Sequence, residues 1–297
     1  MRALVTGGHG FVGRWLCAHL ADNGDEVIAP HADDLDVTDL PAVRKFVEEA
    51  RPEAVYHLAG VASVADSWKH PETALEVNAG GTLAVLEAVR ALDAPARVLL
   101  VSSAEVYGAV GPEAQPITED APLRPVSPYA ASKVAAEFLG VQAFLGNGVP
   151  VVRARPFNHV GPGQSPGFVV AALARRIAEA ARNGDTTLAV GNLTPRRDFT
   201  DVRDVVRAYR LLVLHGEPGE AYNVCSGRDV MVAELVDRLM AQAGVSLTLH
   251  ADPDLVRPVD IPVLRGDASR LQGLTGWRPE IPIDRTLADV LADAERP

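Results

Sequence analysis

The chain has 297 residues, of which 47% are hydrophobic and 23% charged, with a formal net charge of −11. A chain of this size can bury a large core, either as one α/β unit or as two unequal lobes. Its acidity argues against a general nucleic-acid or membrane-surface binder, because both surfaces are anionic; no run approaches the roughly 18 apolar residues of a membrane span, the start has no signal-peptide layout, and a cytoplasmic protein is expected.

The first strand is expected at "ALVTG" (3–7), running into "TGGHGFVG" (6–13) and a helix over "RWLCAHL" (14–20). Gly7, Gly10 and Gly13 recur at every third position between that strand and that helix. Such a turn lets the backbone approach a pyrophosphate closely, and the free N–H groups and dipole of the helix N-terminus attract its charge. A dinucleotide site is therefore expected here, with Phe11 and Val12 inside the turn.

Further strand-length runs are "EVIAP" (26–30), "AVYHLAG" (54–60), "RVLLVSS" (97–103) and "PVVRARP" (150–156). Between them lie stretches such as "ETALEVNAGGTLAVLEAVRAL" (72–92), with apolar residues three and four apart. This alternation predicts a parallel, doubly wound α/β sheet of the Rossmann type. "LDVTD" (35–39) places Asp36 and Val37 to edge an adenine at the end of a third strand. His57 reads as a strand residue near the cofactor and not as a base. Cys17 and Cys225 lack ligand spacing and read as packing residues; the eight histidines show no H-E-x-x-H pattern, so no metal is expected.

In "SPYAASK" (127–133), Ser127 and Pro128 read as an N-cap and first helical position, which puts Tyr129 and Lys133 on one helix face. A phenol beside an ammonium suits acid/base chemistry at a carbonyl or alcohol, the cation favouring the phenolate. Taken alone, the pair also fits helix packing plus a solvated charge. After residue 156 the rhythm changes. "NHVGPGQSPG" (158–167) is a loop, a helix runs through Arg175 and Arg176, and later loops are rich in proline and arginine. The expected division is a dinucleotide-binding domain over 1–156, with a return at about 192–229, and a smaller interleaved C-terminal substrate-binding lobe over 157–191 and 230–297.

With the glycine turn, "VSSAEVYG" (101–108) and "SPYAASK" in this order, the chain resembles the extended short-chain dehydrogenase/reductase family over essentially its whole length. The resemblance implies that Ser103 orients a substrate carbonyl, that Tyr129 exchanges its proton, and that Lys133 holds the nicotinamide ribose. It implies cofactor contacts at Leu58, Ala59 and Gly60, and it matches Asn78 in "VNAGGT" to an asparagine near the catalytic lysine; local capping is the alternative for Asn78.

Segments "RPFNHVGPGQSPGFVV", "VGNLTPRRDFTDVRDVVRAY", "YNVCSG", "VRPVDIP" and "TGWRPEIPI" are similar to the nucleotide-sugar branch of that family, GDP-linked sugars favoured. By this resemblance Asn158 and Arg197 meet the substrate diphosphate, Arg257 adds a second cation, and the turn from Val190 through Asn192 to Leu193 lines the nucleotide pocket. Arg196, Arg203 and Arg207 read as salt-bridging surface residues. Glu105 keeps the position of the base in 4,6-dehydratases, but Ala104 beside it cannot donate a proton. Reduction of the C4 ketone of a GDP-4-keto-6-deoxyhexose is therefore ranked first, 4-epimerisation second, dehydration third, and a non-catalytic dinucleotide binder last. NADP(H) is the expected cofactor, with NAD(H) as the weaker alternative: "VIAPHADD" (27–34) lacks an arginine after the second strand, and Arg14 is the nearest one in sequence. The branch also implies a homodimer through the helix that carries Val134, Phe138, Val141 and Leu145.

Overall fold

The computed structural model describes residues 1–255 and 261–296. In chain order the chain forms β1 (Arg2–Thr6), α1 (Phe11–Asp22), β2 (Glu26–Ile28), α2 (Leu40–Ala50), β3 (Ala54–His57), α3 (Val64–Lys69), α4 (Pro71–Leu75), a π-helical turn (Glu76–Gly80), α5 (Gly81–Arg90) and β4 (Arg97–Val101). Next come a 3₁₀ turn (Ala104–Tyr107), α6 (Pro128–Asn147), β5 (Val151–Pro156), β6 (Asn158–Val160), α7 (Val169–Asn183), β7 (Thr187–Val190), β8 (Arg196–Asp201), α8 (Val202–His215) and β9 (Ala221–Val224). The chain continues with β10 (Asp229–Met231), α9 (Val232–Ala243), β11 (Thr248–Ala251), β12 (Val263–Leu264), α10 (Ser269–Thr275) and α11 (Ile283–Ala294).

The main sheet has the order β2-β1-β3-β4-β5-β9, and every pair in it is parallel. Apart from β2 at its edge, its strands are buried on both faces, so they read as nearly continuous apolar runs. The two-residue side-chain period divides them between two cores. Ala3, Val5, Tyr56, Leu99 and Val152 pack with Leu16, Leu20, Val205 and Leu212 of α1 and α8. Leu4, Val55, Val98, Leu100 and Val151 pack with Val43, Val47, Val85 and Val89 of α2 and α5. The chain leaves β1 for β2 on one side and returns to β3 on the other, so a crevice forms at the carboxyl ends of β1 and β3, where such sheets bind ligands.

A smaller unit pairs β8 with β10, β12 and β6, and β7 with β11, around a separate core under α7, α9 and α11. Within residues 192–229, β9 joins the large sheet and α8 packs on it, whereas β8 belongs to the small unit. The segment around Asp36 and Val37 forms no strand. Asp36 accepts hydrogen bonds from the Thr38 backbone N–H (2.9 Å) and hydroxyl (2.8 Å), an Asx turn that leads into α2 and competes with extended pairing. The helical pattern over 72–92 breaks into α4, the π turn and α5.

Candidate active site

The site starts at the end of β1. Gly7 has φ +70°, and a Cβ there would meet the Ala59 backbone N at 2.8 Å; a Cβ on Gly13 would lie 2.1 Å from the Gly7 carbonyl oxygen. Only glycine permits the left-handed turn and the close seat of α1 on it. The Gly7 carbonyl accepts from the Gly10 N–H (3.0 Å), and the first helical bond runs from the Arg14 N–H to the Gly10 carbonyl (3.0 Å). Gly10 has no side chain to cap α1, and the first turn holds no acidic residue. The N–H groups of Phe11, Val12 and Gly13 thus precede any intrahelical acceptor, a cradle that fits a pyrophosphate.

This turn forms one wall of a cleft of about 470 Å³. The cleft brings together Gly7, Gly10, Phe11, Val12, Gly13, Leu58, Ala59 and Gly60 with Ser103, Glu105, Tyr129, Lys133 and Asn158. Ser103 ends the run after β4 in extended conformation, and its Oγ accepts from the Glu105 N–H (3.2 Å), so the following turn is capped by the residue that faces the cleft. Ser127 caps α6 by accepting from the Ala130 N–H (3.1 Å), with Pro128 behind it. Tyr129 and Lys133 follow on one face at 8% and 9% exposure.

Burial pushes the Tyr129 phenol up to about 12; the Ser103 side chain favours the phenolate and Glu105 opposes it. The expectation that Lys133 brings the phenol down toward neutrality is therefore corrected: desolvation dominates, and Tyr129 is the protonated acid at neutral pH. Lys133 donates from Nζ to the Val101 carbonyl (3.1 Å). Burial brings its ammonium down to about 8, against the field of Glu137. His57 is buried in β3, and its Nδ1 lies 2.8 Å from the Thr6 hydroxyl oxygen. Burial and the Lys133 charge bring it down to about 3, so it is a neutral strand residue.

Several residues expected at the site are not among those lining this cleft. Asn78 is buried in the π turn; its Oδ1 accepts from the Val61 N–H (2.9 Å), and its Nδ2 donates to the Val61 carbonyl (3.2 Å) and to Ser132 Oγ (2.8 Å). It braces the Leu58–Val61 loop against α6, adjoining Lys133 across Gly60. Val37 is buried against Gly81, outside the cleft lining. Val190 packs in the core of the small lobe, Asn192 accepts from the Thr194 N–H (3.1 Å), and Arg197 is 7% exposed and donates to the carbonyls of Arg196 and Ile261. None of these three lines the cleft. Arg257 lies outside the described residues.

Arg14 donates from Nη2 to the Gly163 carbonyl (3.2 Å) and so fastens the loop after β6 to α1. Arg196, Arg203 and Arg207 form ion pairs, with Asp229 and Glu234, with Asp201 and Asp289, and with Asp204 and Glu280. Among the described residues no cluster of His, Cys, Asp and Glu is arranged to hold a metal ion.

The cleft is also lined by Ser63, Val64, Gln164, Ser165, Phe168 and His159, most of which drew no expectation from the sequence. A signal existed for one group. "SVAD" (63–66) is a capping pattern, and Ser63 Oγ does accept from the Asp66 N–H (3.1 Å) to start α3. That short helix seats the tyrosine: buried Ser67 accepts the Tyr129 N–H (3.1 Å) and donates to the Val64 carbonyl (2.7 Å).

Residues 3–225 match the model of the NAD dependent epimerase/dehydratase family. The chain belongs to that family. It is 40% identical over 296 residues to the GDP-6-deoxy-D-mannose reductase of Pseudomonas aeruginosa, covering 99% of this chain and 97% of that protein. The solved structure of RMD from P. aeruginosa complexed with NADPH superposes with a TM-score of 0.91 at 39% identity, covering 99% of each chain. The UDP-glucose 4-epimerase of Thermus thermophilus, in complex with NAD, superposes with a TM-score of 0.89 at 30% identity, again over 99% of each chain.

Proposed function

We propose that this family member reduces the C4 ketone of a GDP-4-keto-6-deoxyhexose to the GDP-6-deoxyhexose, with NADP(H) as cofactor and NAD(H) accepted less well. The observation that carries the reading is the convergence of Ser103, protonated Tyr129 and Lys133 in the cleft that starts at the glycine turn. The full-length similarity to a reductase of this chemistry supports the substrate class. Gly7 to Gly13 would hold the pyrophosphate and Lys133 the nicotinamide ribose; the bound dinucleotide supplies the hydride. Tyr129 would give its proton to the ketone oxygen as Ser103 donates a hydrogen bond to the same atom, where negative charge develops. Reduction needs an acid at that oxygen, and a phenol is protonated at neutral pH. Ala104, 2% exposed beside Glu105, offers no proton for a leaving hydroxyl, which disfavours dehydration.

Remote binding energy would come from the GDP moiety, with Asn158 at the cleft and Arg197, Arg257 and the Val190–Leu193 turn as its proposed contacts. The test is NADPH oxidation followed with GDP- and dTDP-4-keto-6-deoxyhexoses. Stoichiometric oxidation with the GDP sugar supports the reading; interconversion of C4 epimers with no net NADPH oxidation would make the protein an epimerase.

The same reading includes a cytoplasmic homodimer. Phe138 and Leu145 on α6 are 60% and 76% exposed, and Leu75 and Leu83 on α4 and α5 are 54% and 43% exposed. Large apolar side chains left exposed on neighbouring helices suit an interaction face, and the two-fold packing of such helices would cover them. No helix among the described residues is long and apolar enough to cross a membrane. Light scattering should return about twice the 31.5 kDa chain mass, and Phe138→Glu should halve it; a wild-type mass near 31.5 kDa at micromolar concentration would refute the dimer.

A further inference from the structure

We propose that Glu137 is a positioning residue for this reaction: its buried carboxylate stands one helical turn from Lys133 on α6 and, through Arg155 and Tyr107, ties that helix to the turn that carries Ser103. The inference rests on the reading that Lys133 holds the nicotinamide ribose.

Glu137 is fully buried on α6, four residues beyond Lys133. The side-chain alternation of β5 that sends Val151 toward α6 sends Arg153 and Arg155 the same way. Arg155 Nε donates to both carboxylate oxygens of Glu137 (2.9 and 3.1 Å) and its Nη2 to one of them (2.7 Å), and Arg153 Nη1 approaches at 3.3 Å. Arg155 Nη1 then donates to the Tyr107 hydroxyl (3.0 Å) and the Glu119 carbonyl (2.9 Å), and the Tyr107 hydroxyl donates to Asn223 Oδ1 (2.7 Å). Tyr107 closes the turn that begins at Ser103, so one buried chain of charge-assisted bonds joins both catalytic segments.

A buried ion pair is a poor source of net stability, because desolvation offsets most of the attraction. Its placement behind the reacting side chains is better explained by the charge it sets there. Glu137 is an anion amid three buried or half-buried cations: Lys133, Arg153 and Arg155. The groups facing Lys133 are Glu137 and Tyr129 on its own helix, neutral His57 on β3 and the Val101 carbonyl at the end of β4, with Glu105 beyond Tyr129. Burial drives the ammonium to lose its proton, and Glu137 is the charge that opposes this. Without it the lysine yields its proton first, because guanidinium groups do not deprotonate in proteins.

The test measures NADPH affinity by fluorescence titration of the full-length protein from pH 6 to 10, in wild type, Glu137→Gln and Arg153→Gln. Wild-type affinity should weaken as Lys133 loses its proton near pH 8. In Glu137→Gln this limb should move down by about one pH unit, leaving affinity unchanged at pH 6 and about fivefold weaker at pH 8, as the protonated fraction of a group shifted by one unit requires. Arg153→Gln removes a cation from the carboxylate and should move the limb up. Opposite shifts are the signature that a purely structural role would not give. Limbs that coincide with wild type, or that move the same way, would overturn the proposal; if Glu137→Gln does not fold, an unmoved limb in Arg153→Gln overturns it alone. A wild-type protein that fails to oxidise NADPH with any of the keto sugars would refute the proposed substrate and leave these binding limbs to decide the role of Glu137.

Discussion

The dinucleotide side of the cleft is built from backbone, with glycines 7, 10 and 13 presenting N–H groups at the start of α1, whereas the facing side is built from side chains set on loops and buried turns that meet only in the fold. The first side is contiguous in sequence and tolerates almost no added atom. The second side draws Ser103 and Tyr129 from the two ends of one long stretch between β4 and α6 and Asn158 from beyond β5, and it depends on buried seats such as Ser67, Asn78 and Glu137. A damaged backbone cradle should lose cofactor and leave the chemistry of whatever still binds. A side-chain wall that has lost only its proton donor should lose rate and keep cofactor.

The largest effect should come from Tyr129→Phe, which removes the proton donor and no part of the cradle. Turnover should fall by roughly a hundredfold or more, the scale of lost general acid catalysis, while NADPH affinity stays within about twofold. A Phe variant with near-normal turnover would remove Tyr129 from the mechanism and dissolve the contrast between the two walls.

Gly13→Ala attacks the other wall. Its methyl would lie 2.1 Å from the Gly7 carbonyl oxygen and 2.6 Å from Gly8 Cα, so the backbone must shift. Forced overpacking costs about 1–3 kcal/mol, and NADPH affinity should weaken roughly 10- to 100-fold by titration. Wild-type affinity in this variant would mean the turn is not the pyrophosphate seat.

Beneath both walls, His57 makes stability depend on pH. Its folded-state value is lowered from 6.5 to about 3, so the unfolded chain takes up a proton that the folded chain refuses. The associated stability is complete above pH 6.5 and is lost as pH falls toward 3, amounting to about 2 kcal/mol at pH 5. Denaturant titrations at pH 7 and 5 should show that loss, and His57→Asn, which keeps a partner for Thr6, should remove most of it. Equal slopes in the two proteins would assign the acid sensitivity to other groups.

The smallest effect concerns Arg14, the arginine nearest the cradle. Because its guanidinium holds the Gly163 carbonyl, Arg14→Ala should change the NADPH-to-NADH ratio of kcat/KM by no more than about threefold, the scale of one exposed hydrogen bond. A tenfold fall in that ratio would place Arg14 on the 2′-phosphate.

What the sequence determined by itself is what local physics decides: the five strand runs from β1 to β5, the glycine turn with its following helix, the capped start of α6, and the pairing of Tyr129 with Lys133 on one face. Each rests on a two- or four-residue period, or on a turn that only glycine can make, and each is read within a dozen residues. The tertiary structure decided what depends on burial and on partners far along the chain. It raised the Tyr129 phenol where proximity to a cation suggested lowering it, because removal from water outweighed a charge that the Val101 carbonyl and Glu137 already engage. It turned Asn78 into a brace, Asp36 into a turn and Arg14 into a loop tether, because short polar side chains and guanidinium groups take whichever backbone partners the fold brings near. And it joined Glu137 to Tyr107 through Arg155, a connection between residues 30 positions apart that no periodicity encodes.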